Sequence, residues 1–179
     1  MRDPLFYLGE GRFTKRDKYC MEVANRIKEN LRYLPEDMKF DYILESINKF
    51  VKSLKKGEGP WRGRTAGEII KEGYVTGCTD RGLVFVTLAR IKGFPAAYVE
   101  TIEENSLRKV IKKPTGPIEG HVFVEVYKDG VWIPYNPGYG RTEKDGKVFL
   151  WLPEVPERKF IKIATGLDFS HTQRTPQNL

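Results

Sequence analysis

The chain has 179 residues, of which only two are Cys and two are His, and its 31 Lys and Arg against 24 Asp and Glu give a formal net charge of +7. A chain of this length can bury a real core, and at 40% hydrophobic and 12% aromatic residues it is no disordered segment. Two cysteines cannot build a disulfide framework, no Cys-x-x-Cys pair is present to hold structural zinc, and no apolar run approaches the roughly 18 residues that span a bilayer.

In residues 15–34, Tyr19, Val23, Ile27, Leu31 and Leu34 recur at three- and four-residue spacing. That spacing predicts an amphipathic helix, with Thr14 as its cap and Pro35 just past its end. Residues 37–54 repeat the pattern through Ile43, Leu44, Ile47, Phe50, Val51 and Leu54. Lys56-Gly57-Glu58-Gly59-Pro60 then breaks any helix and reads as a joint between a helical region, 1–60, and a core, 61–165. Thr65-Ala66-Gly67-Glu68 has capping-box spacing and predicts a short helix that stops at Gly73. A further helix is expected from Cys78 to Gly93. It is apolar around most of its circumference, so it should be central and buried.

After Gly93 the period falls to two. Ala96–Thr101 predicts a strand. His121–Tyr127 alternates, with Val122, Val124 and Val126 on one face and His121, Phe123, Glu125 and Tyr127 on the other. Lys128-Asp129-Gly130 predicts a hairpin turn into Val131–Tyr135, because Asp-Gly tolerates the positive φ angles such turns need. Val148–Leu152 and Phe160–Ala164 are further strand candidates, and residues 166–179 read as a polar tail. Helices first and strands later give the α+β class, with the Cys78 helix packed on an antiparallel sheet.

Three positions could carry chemistry. Cys78 follows Gly77 and opens the central helix, where unpaired N–H groups and the helix dipole favour a thiolate. The alternative is a small buried hydrophobe. His121 starts the alternating strand and is one of only two imidazoles available as a general base; alternatively it simply ends a strand in solvent. Across a two-residue hairpin at Asp129-Gly130, His121 pairs near position 138. Asn136 is then within side-chain reach, and its amide oxygen can accept the imidazole N–H. Asn136 also opens Asn-Pro-Gly, which is turn chemistry in its own right. A Cys, His, Asn order fits the nucleophile, base and orienter of a thiol acyl-transfer site.

These residues carry a resemblance. Gly77-Cys78-Thr79-Asp80-Arg81-Gly82-Leu83, then Ala89-Arg90-Ile91-Lys92-Gly93-Phe94-Pro95-Ala96, resembles the transglutaminase-like superfamily. Gly120-His121-Val122-Phe123-Val124-Glu125-Val126-Tyr127 is similar to its His strand, and Trp132-Ile133-Pro134-Tyr135-Asn136-Pro137 to the segment that ends in its Asp-Pro. The resemblance covers roughly residues 64–140. It implies a papain-like fold and a thiolate mechanism on peptide or protein amides, with Cys78 as nucleophile, His121 as base and Asn136 as third member. It also places Asp80 at the family's Asp, where a structural role in the helix's first turn is expected. Asn136 departs from the usual Asp: a neutral amide orients His121 but supports an imidazolium less than a carboxylate does.

The charge excess is spread evenly, +3 in residues 1–60 and +4 in residues 61–179, with small sets at Lys52, Lys55 and Lys56, at Arg62 and Arg64, and at Lys109, Lys112 and Lys113. No basic block marks nucleic acid as a partner. Trp61 and Cys20 read as packing, and His171 as part of an exposed tail. No acidic spacing supports calcium, and no cofactor is expected. The first residues, Met1-Arg2-Asp3-Pro4-Leu5-Phe6, lack the apolar core of a signal peptide, so a cytoplasmic protein with no membrane segment is expected.

Overall fold

The computed structural model describes residues 2–29, 31, 33–60, 62–113, 119–141, 149–152 and 155–172. Helix α1 (Lys18–Glu29) is amphipathic as expected, but Thr14 does not cap it. Asp17 does, accepting the Cys20 N–H at 3.0 Å, while the Thr14 hydroxyl faces inward and accepts from Gly11 N–H at 2.9 Å. Helix α2 (Glu36–Ser53) follows Pro35 and buries Phe40, Ile43, Leu44, Ile47 and Val51. Helix α3 (Ala66–Glu72) has the capping box read from its sequence: the Thr65 hydroxyl accepts from Glu68 N–H at 3.3 Å, and the Glu68 carboxylate accepts from Thr65 N–H at 2.7 Å. Gly73 closes it in the left-handed region, at φ 74°.

Helix α4 (Cys78–Ile91) is the centre of the molecule. Every residue from Leu83 to Arg90 is buried. The helices α1, α2 and α3 cover one side of it, and the other lies on a six-stranded antiparallel sheet. The sheet runs β6 (Gly140–Arg141), β5 (Val131–Asn136), β4 (Gly120–Lys128), β3 (Ala96–Glu103), β8 (Val155–Gly166) and β7 (Phe149–Leu152). A parallel pair, β1 (Lys55–Lys56) and β2 (Tyr74–Val75), stands apart from it. Gly82 lets α4 sit close to the sheet: a Cβ there would come 2.5 Å from Val122 Cγ1 and 3.0 Å from the Tyr98 ring. Val122, Val124 and Val126 face α4 in the main core. Phe123 lies on the other side of the sheet with Ala97, Val99, Leu167 and Tyr7. The hairpin turn has positive φ at both Asp129 (49°) and Gly130 (89°), which fixes the register Lys128 to Val131.

The sequence period was silent on several elements. Helix α5 (Glu104–Lys112) is a surface helix that buries little beyond Ser106, whose N–H donates to the capping Glu103 carboxylate at 2.6 Å. The N-terminal turn Leu5–Leu8 covers the far face of the sheet, where Tyr7 meets Trp132 edge-on at 5.2 Å. Helix α6 (Phe169–Thr172) follows Leu167 and Asp168; these two and Phe169 are buried, and Phe169 stacks on Phe13 at 4.2 Å. The segment after residue 166 therefore starts as part of the core. Val148 and the last residues, 173–179, lie outside the described residues.

Arg90 joins these pieces. It is 2% exposed, and its guanidinium donates to Ala96 O (2.9 and 2.6 Å), Leu167 O (2.9 Å) and Thr14 Oγ1 (3.0 Å). Burial lowers its pKa to about 10, against the pull of nearby Asp168. The buried cation persists because three chain segments supply acceptors. Replacing it with an apolar side chain takes its donors away from the buried Ala96 and Leu167 carbonyls and leaves Thr14 Oγ1 with the Gly11 N–H alone. Arg90→Met is expected to cost about 3 kcal/mol of stability. Urea unfolding should show a lower midpoint at an unchanged slope; a midpoint within error of the parent would contradict the role given to Arg90.

Candidate active site

Two clefts meet at Cys78 and His121. One is lined further by Arg62, Glu100, Thr101 and Val122, the other by Lys56, Thr76, Arg81, Pro137 and Tyr139. Cys78 is the first residue of α4, preceded by extended Gly77. Asp80, in the same first turn, fixes this entry. Its carboxylate accepts from Thr76 N–H (2.8 Å) and the Thr76 hydroxyl (2.9 Å), and it pairs with Arg64. Arg64 also reaches Glu72 at 2.6 Å, so α3, the loop before Cys78 and the helix start are tied through one guanidinium.

His121 opens β4 opposite Thr101 of β3. Its ring is 5.4 Å from Phe123 and 5.7 Å from Phe160. The β4–β5 register, Val124 to Tyr135, carries forward to put His121 across from position 138. Asn136, two places back along the partner strand, reaches it: His121 Nε2 is 3.0 Å from Asn136 Oδ1. Since Oδ1 accepts, Nε2 carries the proton and Nδ1 is left basic. Asn136 is also the turn residue its sequence context announced. Its carbonyl accepts from Tyr139 N–H at 2.8 Å over Pro137 and Gly138, the latter at φ 88°, and Asn48 of α2 accepts from Gly138 N–H at 2.7 Å. The two roles coexist because the turn uses the main chain and His121 uses the side chain.

The electrostatics differ from the sequence reading. Burial pushes the Cys78 thiol above its usual range; the N–H groups of Val122, Thr79 and Cys78 and the charge of Arg81 pull it down without prevailing. The helix N-terminus is there, but desolvation outweighs it. Burial also holds His121 below its usual range; the Asn136 contact favours its charged form, while Arg158 and Arg81 oppose it. Both shifts favour the neutral thiol and the neutral imidazole over an ion pair.

Residues 13–137 match the transglutaminase-like superfamily. The chain belongs to that superfamily. No curated protein matches it in sequence. Its fold is similar to the crystal structure of a proposed cysteine protease from Cytophaga hutchinsonii, with a TM-score of 0.62 at 16% identity over 96% of this chain. The chain spans 49% of that protein's length. The superfamily fold, helices packed on an antiparallel sheet with the Cys-bearing α4 between them, is the α+β architecture expected from the sequence.

Other sequence candidates fall away from the clefts or outside the description. Cys20 is buried and free, its thiol pushed up to about 12 by burial and Asp17, and Cys78 is likewise free. His171 is exposed beside Asp168, at 3.5 Å. Trp61 lies outside the described residues. Among the described residues no helix is long and apolar enough to cross a membrane, and no group of three or more His, Cys, Asp or Glu could hold a metal ion. Sequence reasoning missed the Arg62–Glu100 pair (2.9 Å) in one cleft and Arg81 in the other. Arg81 had a readable signal: it lies one turn after Cys78 on the same helix face.

A carboxylate at 136 should favour the imidazolium, whereas removing the amide should lose the one contact that favours it. The pKa of His121, followed by NMR, is therefore expected to rise in Asn136→Asp and to fall further in Asn136→Ala. Shifts of the same sign in both variants would separate Asn136 from His121.

Proposed function

We propose that the protein is a thiol-dependent acyl-transfer enzyme acting on peptide or protein amides, with hydrolysis (peptidase, amidase or deamidase) ahead of cross-linking. The observation that carries this reading is the 3.0 Å contact of His121 Nε2 with Asn136 Oδ1, where two clefts meet at the thiol of a helix-opening cysteine. In this reading Cys78 is the nucleophile, His121 the general base and Asn136 the residue that orients the ring.

As Cys78 Sγ attacks the amide carbonyl carbon, its proton passes to His121 Nδ1. The carbonyl π electrons move to oxygen, and the Cys78 backbone N–H, at the first position of α4, helps hold the oxyanion. Collapse of the tetrahedral adduct breaks the C–N bond. His121 returns the proton to the leaving amine or ammonia, and a thioester remains on Cys78. Water, deprotonated by His121, attacks the thioester and releases the acid and the thiol. A lysine amine in place of water gives an isopeptide. Tyr139, beside Cys78, is 45% exposed, and this openness supports access by water. Two free thiols, one of them the nucleophile, suit a reducing compartment, and the cytoplasm is the proposed location.

A second reading has its own support. Cys78 held up and His121 held down suit a peptide-binding module with weak or no turnover. One experiment separates the two. The protein is incubated with unfolded casein, and new N-termini, released ammonia and incorporation of a fluorescent primary amine are followed. At least one product is expected, abolished in Cys78→Ala and reduced about a thousandfold in His121→Ala. Asn136→Ala should lower the rate roughly tenfold to a hundredfold. Casein binding that survives Cys78→Ala, with none of the three products from the parent, would establish the module instead.

A further inference from the structure

We infer that the cleft bounded by Arg81 and Lys56 is a carboxylate subsite, so that the preferred substrate carries an acidic group beside the reacting amide. The inference rests on the proposed active site and adds its substrate class.

The two clefts that meet at Cys78 and His121 differ in charge. In the first, the cation Arg62 is paired with Glu100 at 2.9 Å. The second is lined by Lys56, Val75, Thr76, Gly77, Arg81, Pro137 and Tyr139 beside the two shared residues, with no acidic side chain. Neither Lys56 nor Arg81 forms an ion pair among the described residues. Two uncompensated cations therefore face one concave surface, next to the nucleophile.

The cations are placed by the fold. Arg81 is three residues after Cys78, so both project from the same face of α4. Its guanidinium lies over the Tyr139 ring at 5.3 Å and against the turn at Gly138, whose φ of 88° suits a glycine. The turn that supports it is the one pinned by Asn48 and bearing Asn136. Arg81 Nε is buried without a hydrogen-bond partner. Lys56 is held by the parallel β1–β2 pairing, opposite Val75 and two residues short of Gly77, with Gly57 N–H donating to Val75 O at 2.9 Å. A positioned guanidinium with free donors, backed by an aromatic ring and joined by an ammonium, is suited to a carboxylate. The Arg81 charge also reaches both reacting groups, lowering the pKa of Cys78 and of His121.

The acidic group could be an Asp or Glu side chain or a chain-terminal carboxylate, and the test distinguishes them. Three affinity labels share one reacting carbon: N-iodoacetyl-aspartate amide, N-iodoacetyl-alanine with a free carboxylate, and N-iodoacetyl-asparagine amide. Each forms an S–C bond to Cys78 and expels iodide with the C–I electron pair, and the thiol proton goes to His121 or solvent. Labelling at Cys78 is mapped by mass spectrometry and normalised to the rate with glutathione. At low salt at least one charged label should react about fivefold or more faster than the neutral one. The faster of the two names the source of the carboxylate. The preference should shrink at roughly 0.5 M salt, vanish in Arg81→Gln and persist in Arg81→Lys. Charged labels within about twofold of the neutral one, or a preference that survives Arg81→Gln, would overturn the subsite and leave the active-site reading standing. If none of the three labels modifies Cys78 in the folded protein, the active-site reading fails, and this inference with it.

Discussion

A helix buried on every side must settle its two ends in the protein interior, and α4 does so with two charged residues. Asp80 sits in its first turn and Arg90 in its last, the placement that the helix dipole favours. Neither is left as a bare charge. Asp80 takes Arg64 and both donors of Thr76, and Arg90 takes the carbonyls of Ala96 and Leu167 and the hydroxyl of Thr14. Each therefore fixes chain segments distant from α4 in sequence. Arg90 sets where β3 begins and where the chain leaves β8. Asp80 sets the path of the loop that delivers Cys78.

The position of the candidate site follows from that anchoring. With α4 fixed, Gly82 allows close contact with Val122 and Tyr98, which puts the start of β4 near the start of the helix. His121 is the residue just before Val122, so it stands at the edge of that contact. The hairpin register then brings Asn136 to the ring, and the turn after it is held by Asn48 from α2 and lies against Arg81 of α4. Three residues far apart in sequence meet because one helix, one hairpin and one turn are each fixed by contacts of their own. Acyl transfer needs its groups held in this way, since small displacements of reacting atoms are costly.

Much of this was legible in the sequence. The periods of α1 and α2, the apolar run of α4, the capping box at Thr65, the alternation in β4 and the Asp129-Gly130 turn all depend on local residue order, and the structure has each of them. The Ala-Arg-x-x-Gly-Phe-Pro-Ala stretch is visible as a pattern, but the reason for its Arg90 lies in Leu167 and Thr14, which are distant in sequence and adjacent only in the fold. Helix α5 was missed because it buries so little that no apolar stripe marks it. Arg62 and Arg64 looked like one basic set; tertiary contacts split them, one to Glu100 in a cleft and one to Asp80 beneath the helix start. The thiol was expected to be acidic from its place at a helix N-terminus. Desolvation reversed the direction, and desolvation is a property of the whole fold that no local motif reports.

That reversal bears on why Asn, not Asp, occupies position 136. The position is fully buried, and a carboxylate there would have to be desolvated beside a neutral imidazole; an amide carries no such charge. The amide orients His121 and favours its charged form, but burial, with the charges of Arg158 and Arg81, outweighs that contact. In the proposed mechanism, the described residues of the protein thus place no negative charge beside His121 to favour proton transfer from Cys78. A substrate carboxylate docked against Arg81 would offset a cation that lowers both pKa values, so it would favour the imidazolium and at the same time oppose the thiolate. By linkage, a ligand that favours the imidazolium is itself bound more tightly when the imidazolium forms. Charge recognition by this cleft therefore bears on where the substrate sits, not on which of the two groups holds the proton.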